Sequence, residues 1–214
     1  MVEMDRRKRN VATVRQPWVL PVLLAVWLAM LLLGGRDVDQ AVIRSVHVGG
    51  GGGASLVVLW TGLGDWSVLL AATSFGLAWL LYRRQWRPAL LLAGWTLLGR
   101  LLVELQKVTF ARLRPEDDMP MVVVNGFSFP SGHAANSTIV YLMLALLVTE
   151  PGPARRRALI AAAIVAALVG ISRVLLGVHW PSDVIAGWAF GLAWVLIGWR
   201  IAQTLKRNSK TSPS

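Results

Sequence analysis

Six stretches of the chain, 17–35, 65–82, 88–106, 131–149, 158–176 and 184–203, are nearly unbroken runs of Leu, Val, Ala, Ile and Trp, and most of the charged and Pro residues collect between them. Each run comes close to the ~20 residues that a helix needs to cross a hydrocarbon core about 30 Å thick. None alternates apolar with polar positions as a barrel strand would, and an open strand would leave its amides unpaired in lipid. The pattern predicts an all-α integral membrane bundle of six spans.

Charge supplies a direction. With the N-terminus taken as cytoplasmic, the inward segments hold Arg6, Arg7, Lys8, Arg9 and Arg15, then Arg83, Arg84 and Arg87, then Arg155, Arg156 and Arg157, then Arg200, Lys206, Arg207 and Lys210, fifteen of the 22 basic residues. Lys and Arg accumulate on the cytoplasmic side of short loops, so both termini are expected inside. Trp18, Trp86, Trp180 and Trp199 fall near span ends and are expected in an interfacial belt, whereas Trp27, Trp95 and Trp188 are expected to pack within the bundle.

Composition narrows the class further. Of the 214 residues 55% are hydrophobic and 15% charged, with a mean hydropathy of +0.56; a soluble domain carries about 25% charge. A soluble globular fold and a disordered chain are both excluded. The net charge of +11 lies in short clusters between apolar runs rather than along one folded face, so no nucleic-acid partner is expected. The absence of Cys removes disulfides, thiolate metal sites and a cysteine nucleophile.

Residues 1–16 read as a basic cytoplasmic N-terminus, 17–205 as one six-span domain without internal repeat, and 206–214 as a polar cytoplasmic tail, frayed from Asn208 onward. The first apolar run follows Arg6 to Arg9 but ends at Leu33-Gly34-Gly35-Arg36 without a small-x-small cleavage site, and it is long for a signal sequence; it reads as an uncleaved anchor. Arg36 to Gly64 includes the glycine run Gly49 to Gly53 and reads as a flexible outer loop, since consecutive glycines hold no stable helix. Ala54 to Thr61 is apolar again, either lying in the interface or extending the second span.

Three polar clusters stand at span ends, and the helix count puts all three on the external face. The third span leads into Lys107 and Arg114-Pro115, the fourth begins at Pro130-Ser131-Gly132-His133, and the fifth and sixth are joined through Ser172-Arg173 and His179-Trp180-Pro181-Ser182-Asp183. Lys107, Arg114 and Arg173 bring three cations, and the planar guanidinium fork suits phosphate oxygens. Ser131 and Gly132 open a helix, where free N–H groups and the dipole favour an anion. Together they describe a phosphate cradle. Asp183, four residues after His179, is within reach of its imidazole and would fix the tautomer, which makes His179 a nucleophile; His133 can then protonate the departing oxygen.

These residues resemble the three motifs of the type 2 phosphatidic acid phosphatase superfamily of membrane lipid phosphatases: Lys, six residues, Arg-Pro; Pro-Ser-Gly-His; and Ser-Arg, five residues, His, three residues, Asp. They match at Lys107 with Arg114-Pro115, at Pro130 to His133, and at Ser172-Arg173 with His179 and Asp183, without a departure. The resemblance implies that His179 attacks phosphorus to give a phosphohistidine, that Asp183 orients it, and that His133 is the acid for the leaving group. It further implies that Lys107, Arg114, Ser131, Gly132 and Arg173 bind phosphate oxygens, and that the reaction needs neither metal nor cofactor. Implied substrates are phosphatidate, phosphatidylglycerol phosphate and polyprenyl diphosphates such as undecaprenyl diphosphate. The motifs do not choose among them, and the short chain inclines the reading to a polyprenyl diphosphate or a broad lipid phosphatase. The external membrane face is the expected place of reaction.

Other polar residues receive plainer readings. His47, beside the glycine run, is not expected in the chemistry. Arg100 and Glu104, one turn before Lys107, are expected to neutralise each other within the third span. Arg112 and the acidic run Glu116-Asp117-Asp118 read as a solvated loop, and Met119 to Val124 as a segment that dips into the interface. A phosphotransferase using the same cradle is the nearest rival. A vanadate-dependent oxidase is argued against by the solubility of its familiar members, and a transporter by the location of the polar clusters at span ends rather than at the midplane.

Overall fold

The computed structural model describes residues 17–46, 52–115 and 124–211, and its elements are all helices. They are α1 (Val19–Leu33), α2 (Asp37–Val46), α3 (Gly52–Gly62), α4 (Trp66–Tyr82), α5 (Trp86–Phe110), α6 (Gly132–Val148), α7 (Pro153–Leu175) and α8 (Pro181–Thr211). Helices α1 and α4 to α8 coincide with the six apolar runs. Three of them, Trp86–Phe110, Pro153–Leu175 and Pro181–Thr204, are individually long and apolar enough to cross a bilayer, or five if each bent pair, α1 with α2 (91°) and α3 with α4 (43°), is one span. The chain is therefore an all-α integral membrane protein with three to five candidate spans by this measure.

The bundle is built around α6. It packs against α4, α5, α7 and α8, and ten of its 17 residues are buried. Those facing the neighbours near its start are small: Ala134, Ala135, Ser137 and Thr138. Small side chains let helices approach closely where lipid offers no hydrophobic drive to associate. A Cβ at Gly187 of α8 would lie 2.8 Å from the Ser131 carbonyl and one at Gly191 2.8 Å from Thr138 Cβ, so α8 runs nearly backbone to backbone along α6. Large apolar residues point outward instead: Phe75, Leu90, Leu101, Leu105 and Ile164 are all more than half exposed.

Tryptophans pin the bundle. Trp95 and Trp194 stack at 4.4 Å, and each indole donates to the other's carbonyl, at 2.9 and 3.0 Å. Trp27 donates to Gln106 and Trp188 to Ala166, so the three packing tryptophans behave as expected. Trp180 does not join the belt. It is 9% exposed and its indole donates to the Leu113 carbonyl at 2.9 Å, because the chain on either side of the site folds over it.

Three further expectations are corrected. The stretch read as a flexible outer loop holds α2 and α3, with Gly52 and Gly53 already helical, and within it Ala54 to Thr61 takes one of its two expected forms, a helix that leads into the second span through a 43° bend. Packing overrides glycine's low propensity there, since Val57 is buried against Leu176 and Val178. Helix α2 is amphipathic, with Asp39 and Ile43 on one buried face, and it packs on α7 and α8. Arg100 and Glu104 form no ion pair among the described residues; the Arg100 guanidinium sits 4.0 Å over the ring of Trp66. Finally, α8 continues to Thr211, past the point where a frayed tail was expected. His47, Glu116 to Asp118 and most of Met119 to Val124 lie outside the described residues.

Candidate active site

The three motifs converge where α5 ends and α6 and α8 begin. His179 lies in the link between α7 and α8, 2% exposed. Its Nδ1 is 3.2 Å from Ser128 Oγ and 3.5 Å from Asp183 Oδ2, and Ser128 Oγ donates to that same carboxylate oxygen. Its Nε2 is 3.2 Å from Arg114 Nη1. A guanidinium only donates, so Nε2 is the nitrogen that holds the lone pair and Nδ1 carries the proton toward Ser128 and Asp183. Burial pushes the His179 imidazole down to about 3, with Asp183 acting against that shift and Arg114 and Arg173 adding to it. The ring is therefore neutral near pH 7, the state a nucleophile needs.

Asp183 is held from every side. It occupies the first turn of α8, where its Oδ2 reaches back to accept the N–H of Trp180, the residue before the helix, at 3.0 Å, the return half of a capping box. Arg112 Nη1 is 2.8 Å from its Oδ1, and the same guanidinium donates to the carbonyls of Met30 and Leu31, at 2.9 and 2.6 Å. Arg112 thus fastens the end of α1 to the carboxylate behind His179. The reading of Arg112 as a solvated loop residue is corrected: its side chain is 13% exposed. Asp39 of α2 completes this wall, accepting the Ser182 N–H at 3.1 Å, the Ser182 hydroxyl and the Gly35 N–H.

The second motif meets the third through the Ser131 N–H, which donates to the Asp183 carbonyl at 3.0 Å. Lys107 comes to the same place from α5, its Nζ 3.5 Å from where a Cβ on Gly132 would sit. His133, in the first turn of α6, has Nε2 3.0 Å from Asp65 Oδ1. Arg173, 2% exposed, donates from Nη1 to Thr61 Oγ1 at 2.6 Å. Arg114 reaches the carbonyls of Gly126, Val178, Asn125 and Phe127 as well as His179, clamping the loop before motif two. Among the described residues two buried side-chain atoms have no partner, Ser131 Oγ and Arg173 Nε. Buried donors are almost always satisfied, so two orphans in motif residues point to a ligand with acceptor oxygens.

A family comparison decides what this constellation belongs to: the model of the PAP2 superfamily matches residues 88–207, more than half of the chain. The chain belongs to the PAP2 superfamily. As a PAP2 chain it is 39% identical over 137 residues to phosphatidylglycerophosphatase B of Bacillus subtilis, covering 62% of its own length and 66% of that protein. It is 35% identical over 121 residues to undecaprenyl-diphosphatase of Sulfolobus acidocaldarius, 54% of its own length and 55% of the relative's. It is 41% identical over 100 residues to lipid A 1-phosphatase of Rhizobium etli, covering 42% and 40%. The chain thus spans between two fifths and two thirds of these relatives' lengths. Its fold matches the crystal structure of a transmembrane PAP2 type phosphatidylglycerolphosphate phosphatase from Bacillus subtilis with a TM-score of 0.82 and 30% identity, over 89% of this chain and 98% of that one.

Sequence reasoning on this PAP2 chain found every motif side chain and missed their supports: Ser128, Arg112, Asp65, Asp39 and Thr61. One signal was available. Acidic residues number only 11 in this basic, apolar chain, so an Asp beside a span asks for a partner.

Proposed function

We propose that the chain is a membrane lipid phosphatase that cleaves a phosphate monoester or diphosphate through a phosphohistidine. The observation that carries this reading is the pairing of a buried neutral imidazole, its lone pair on Nε2, with the orphaned donors Ser131 Oγ and Arg173 Nε. His179 Nε2 forms the N–P bond as the bond from phosphorus to the leaving oxygen breaks, and His133 hands that oxygen its proton. Asp183 steadies the charge gained by His179. Water then attacks phosphorus, His133 takes a proton from it, and the N–P bond breaks to release phosphate. Lys107, Arg114, Arg173, Ser131 and the N–H of Gly132 bind the equatorial oxygens, whose charge they meet more fully in the transition state than in the ground state. No step calls for a metal or a cofactor.

The substrate is a phosphorylated lipid. Relatives named for phosphatidylglycerophosphate, undecaprenyl diphosphate and lipid A have a phosphate group on a lipid in common, and a site at a span end meets such a headgroup while the tail stays beside the helices. Topology is part of the proposal. Three long helices, two bent pairs and the shorter α6 add up to six crossings, which supports termini on one side and the histidines on the other. The distribution of Lys and Arg supports a cytoplasmic side for the termini.

Phosphate release from a panel of phosphatidate, phosphatidylglycerol phosphate and polyprenyl diphosphates by the purified protein tests the activity. Turnover that survives EDTA and is inhibited by vanadate is the expected result, and a chelator loss restored by a divalent ion would overturn the mechanism. For sidedness, single cysteines replace Ser214 and Asp118 in a chain that has none. An impermeant thiol reagent applied to intact cells should label position 118 and spare 214; the reverse would move the site to the cytoplasmic face.

A further inference from the structure

The elbow between α3 and α4 contains no motif residue, yet it touches two of them. Thr61, in the last turn of α3, accepts from Arg173 Nη1 at 2.6 Å, and Asp65, the residue before α4, lies 3.0 Å from His133 Nε2. Tyr141 of α6 fixes the elbow by donating to the Leu63 carbonyl at 2.6 Å. Between the two contacts Gly64 runs so close that a Cβ there would stand 2.8 Å from His133 Cδ2 and 2.5 Å from Val169 Cγ1. Only a bare backbone passes at that distance. The 43° bend of the α3–α4 pair is what turns this edge of the chain toward α6 and α7.

We infer that the elbow is a fourth segment of the active site, in which Asp65 is the positioning residue for the general acid His133 and Thr61 the positioning residue for the phosphate ligand Arg173. The inference rests on the phosphatase reading above and extends it to residues outside the motifs. Asp65 accepts the Nε2–H of His133, which commits the other nitrogen, Nδ1, to the leaving oxygen. In the first half-reaction the imidazolium gives the Nδ1 proton to that oxygen as the P–O bond breaks, and the Nε2–H···Asp65 bond persists. In the second, neutral Nδ1 takes a proton from the attacking water, and the imidazolium is restored beside the carboxylate. Protons balance over the cycle, and none passes to Asp65. Asp65 is the one carboxylate among the described residues within ion-pair distance of this ring.

The test reads leaving-group dependence, which a purely structural role does not move. A series of aryl phosphates of graded leaving-group acidity is followed in the first turnover, as the burst of phenol release. Asp65→Ala should slow the poorest leaving group about 10- to 100-fold and the best less than about threefold, steepening the dependence as His133→Ala does. Adding Asp65→Ala to His133→Ala should cost nothing further. Asp65→Asn, which keeps an acceptor but not the charge, should fall between. In the same proteins Thr61→Val should leave the slope alone and weaken vanadate inhibition about tenfold. A uniform loss across the series in Asp65→Ala, or additive losses in the double variant, would overturn the role of Asp65. An unchanged slope in His133→Ala itself would instead remove the general-acid assignment, and the inference with it.

Discussion

Arginines gather at both ends of this bundle and do different work at each. At the motif end, Arg112, Arg114 and Arg173 point their N–H groups at named acceptors: Asp183, the carbonyls of the loop before motif two, and Thr61. At the opposite end, Arg83, Arg87 and Arg155 lie over the rings of Trp79, Trp86 and Trp199, at 5.6, 5.1 and 5.2 Å. Arg84, Arg87 and Arg155 there rim a cavity of about 360 Å³ with apolar walls, and Arg155 also donates to the Thr149 carbonyl. An exposed guanidinium over an indole, as at Arg83 and Arg87, is an anchor at a membrane surface, where either partner can be replaced by water or lipid. A buried guanidinium on a buried carboxylate has no such substitute. Residue type and position near a span end are shared by the two groups; the presence of a second polar side chain to meet is what separates them.

The sharpest way to break that contrast is to remove His179, the nucleophile of the proposed reaction. His179→Ala should lower turnover by on the order of 10⁴-fold or more with the fold intact, as phosphate release and circular dichroism in detergent would report. Arg112→Ala leaves Asp183 buried without its cation and should cost about 3 kcal/mol of stability together with most of the activity, read by thermal unfolding and turnover. Gly187→Ala forces a methyl against the Ser131 carbonyl and should cost about 1–3 kcal/mol, with a loss of turnover because motif two shifts against motif three. Acidification sharpens the comparison more gently. The folded imidazole of His179 sits at about 3 and the unfolded one near 6.5, so its contribution is complete above pH 6.5 and is lost as the pH falls toward 3. The melting temperature of His179→Ala should accordingly decline less between pH 7 and pH 4 than that of the parent. Arg155→Ala, at the opposite end, should change stability by less than about 1 kcal/mol and leave turnover alone. A large effect there would erase the distinction between the two ends.

How far the sequence carries the structure depends on the range of the interaction. Hydropathy is local, and α1 and α4 to α8 follow from it directly. Motif spacing is local too, and the convergence of Lys107, His133 and His179 follows from counting helices that run up and down. Helix α3 was legible only as one of two readings of Ala54 to Thr61, because the glycine run argues against its start and the packing of Val57 on Leu176 and Val178 argues for it; α2 was not legible because the partners of its buried Asp39 lie far off in the chain. Arg112, Asp39 and Asp65 were not legible for this second reason. Their partners lie 71, 143 and 68 residues away, and no periodicity relates such positions. Trp180 shows the same limit, since its place near a span end suggested a belt while the Leu113 carbonyl draws it inward.

The length of α6 has a consequence for the membrane itself. Its 17 residues reach about 25 Å, some 5 Å less than a typical hydrocarbon core, while α5 and α7 run to 25 and 23 residues. His133 stands in the first turn of this short helix. A mismatch of that size is met by local thinning of the bilayer or by tilt, so turnover of the proposed reaction in vesicles of graded acyl-chain length should vary with that length.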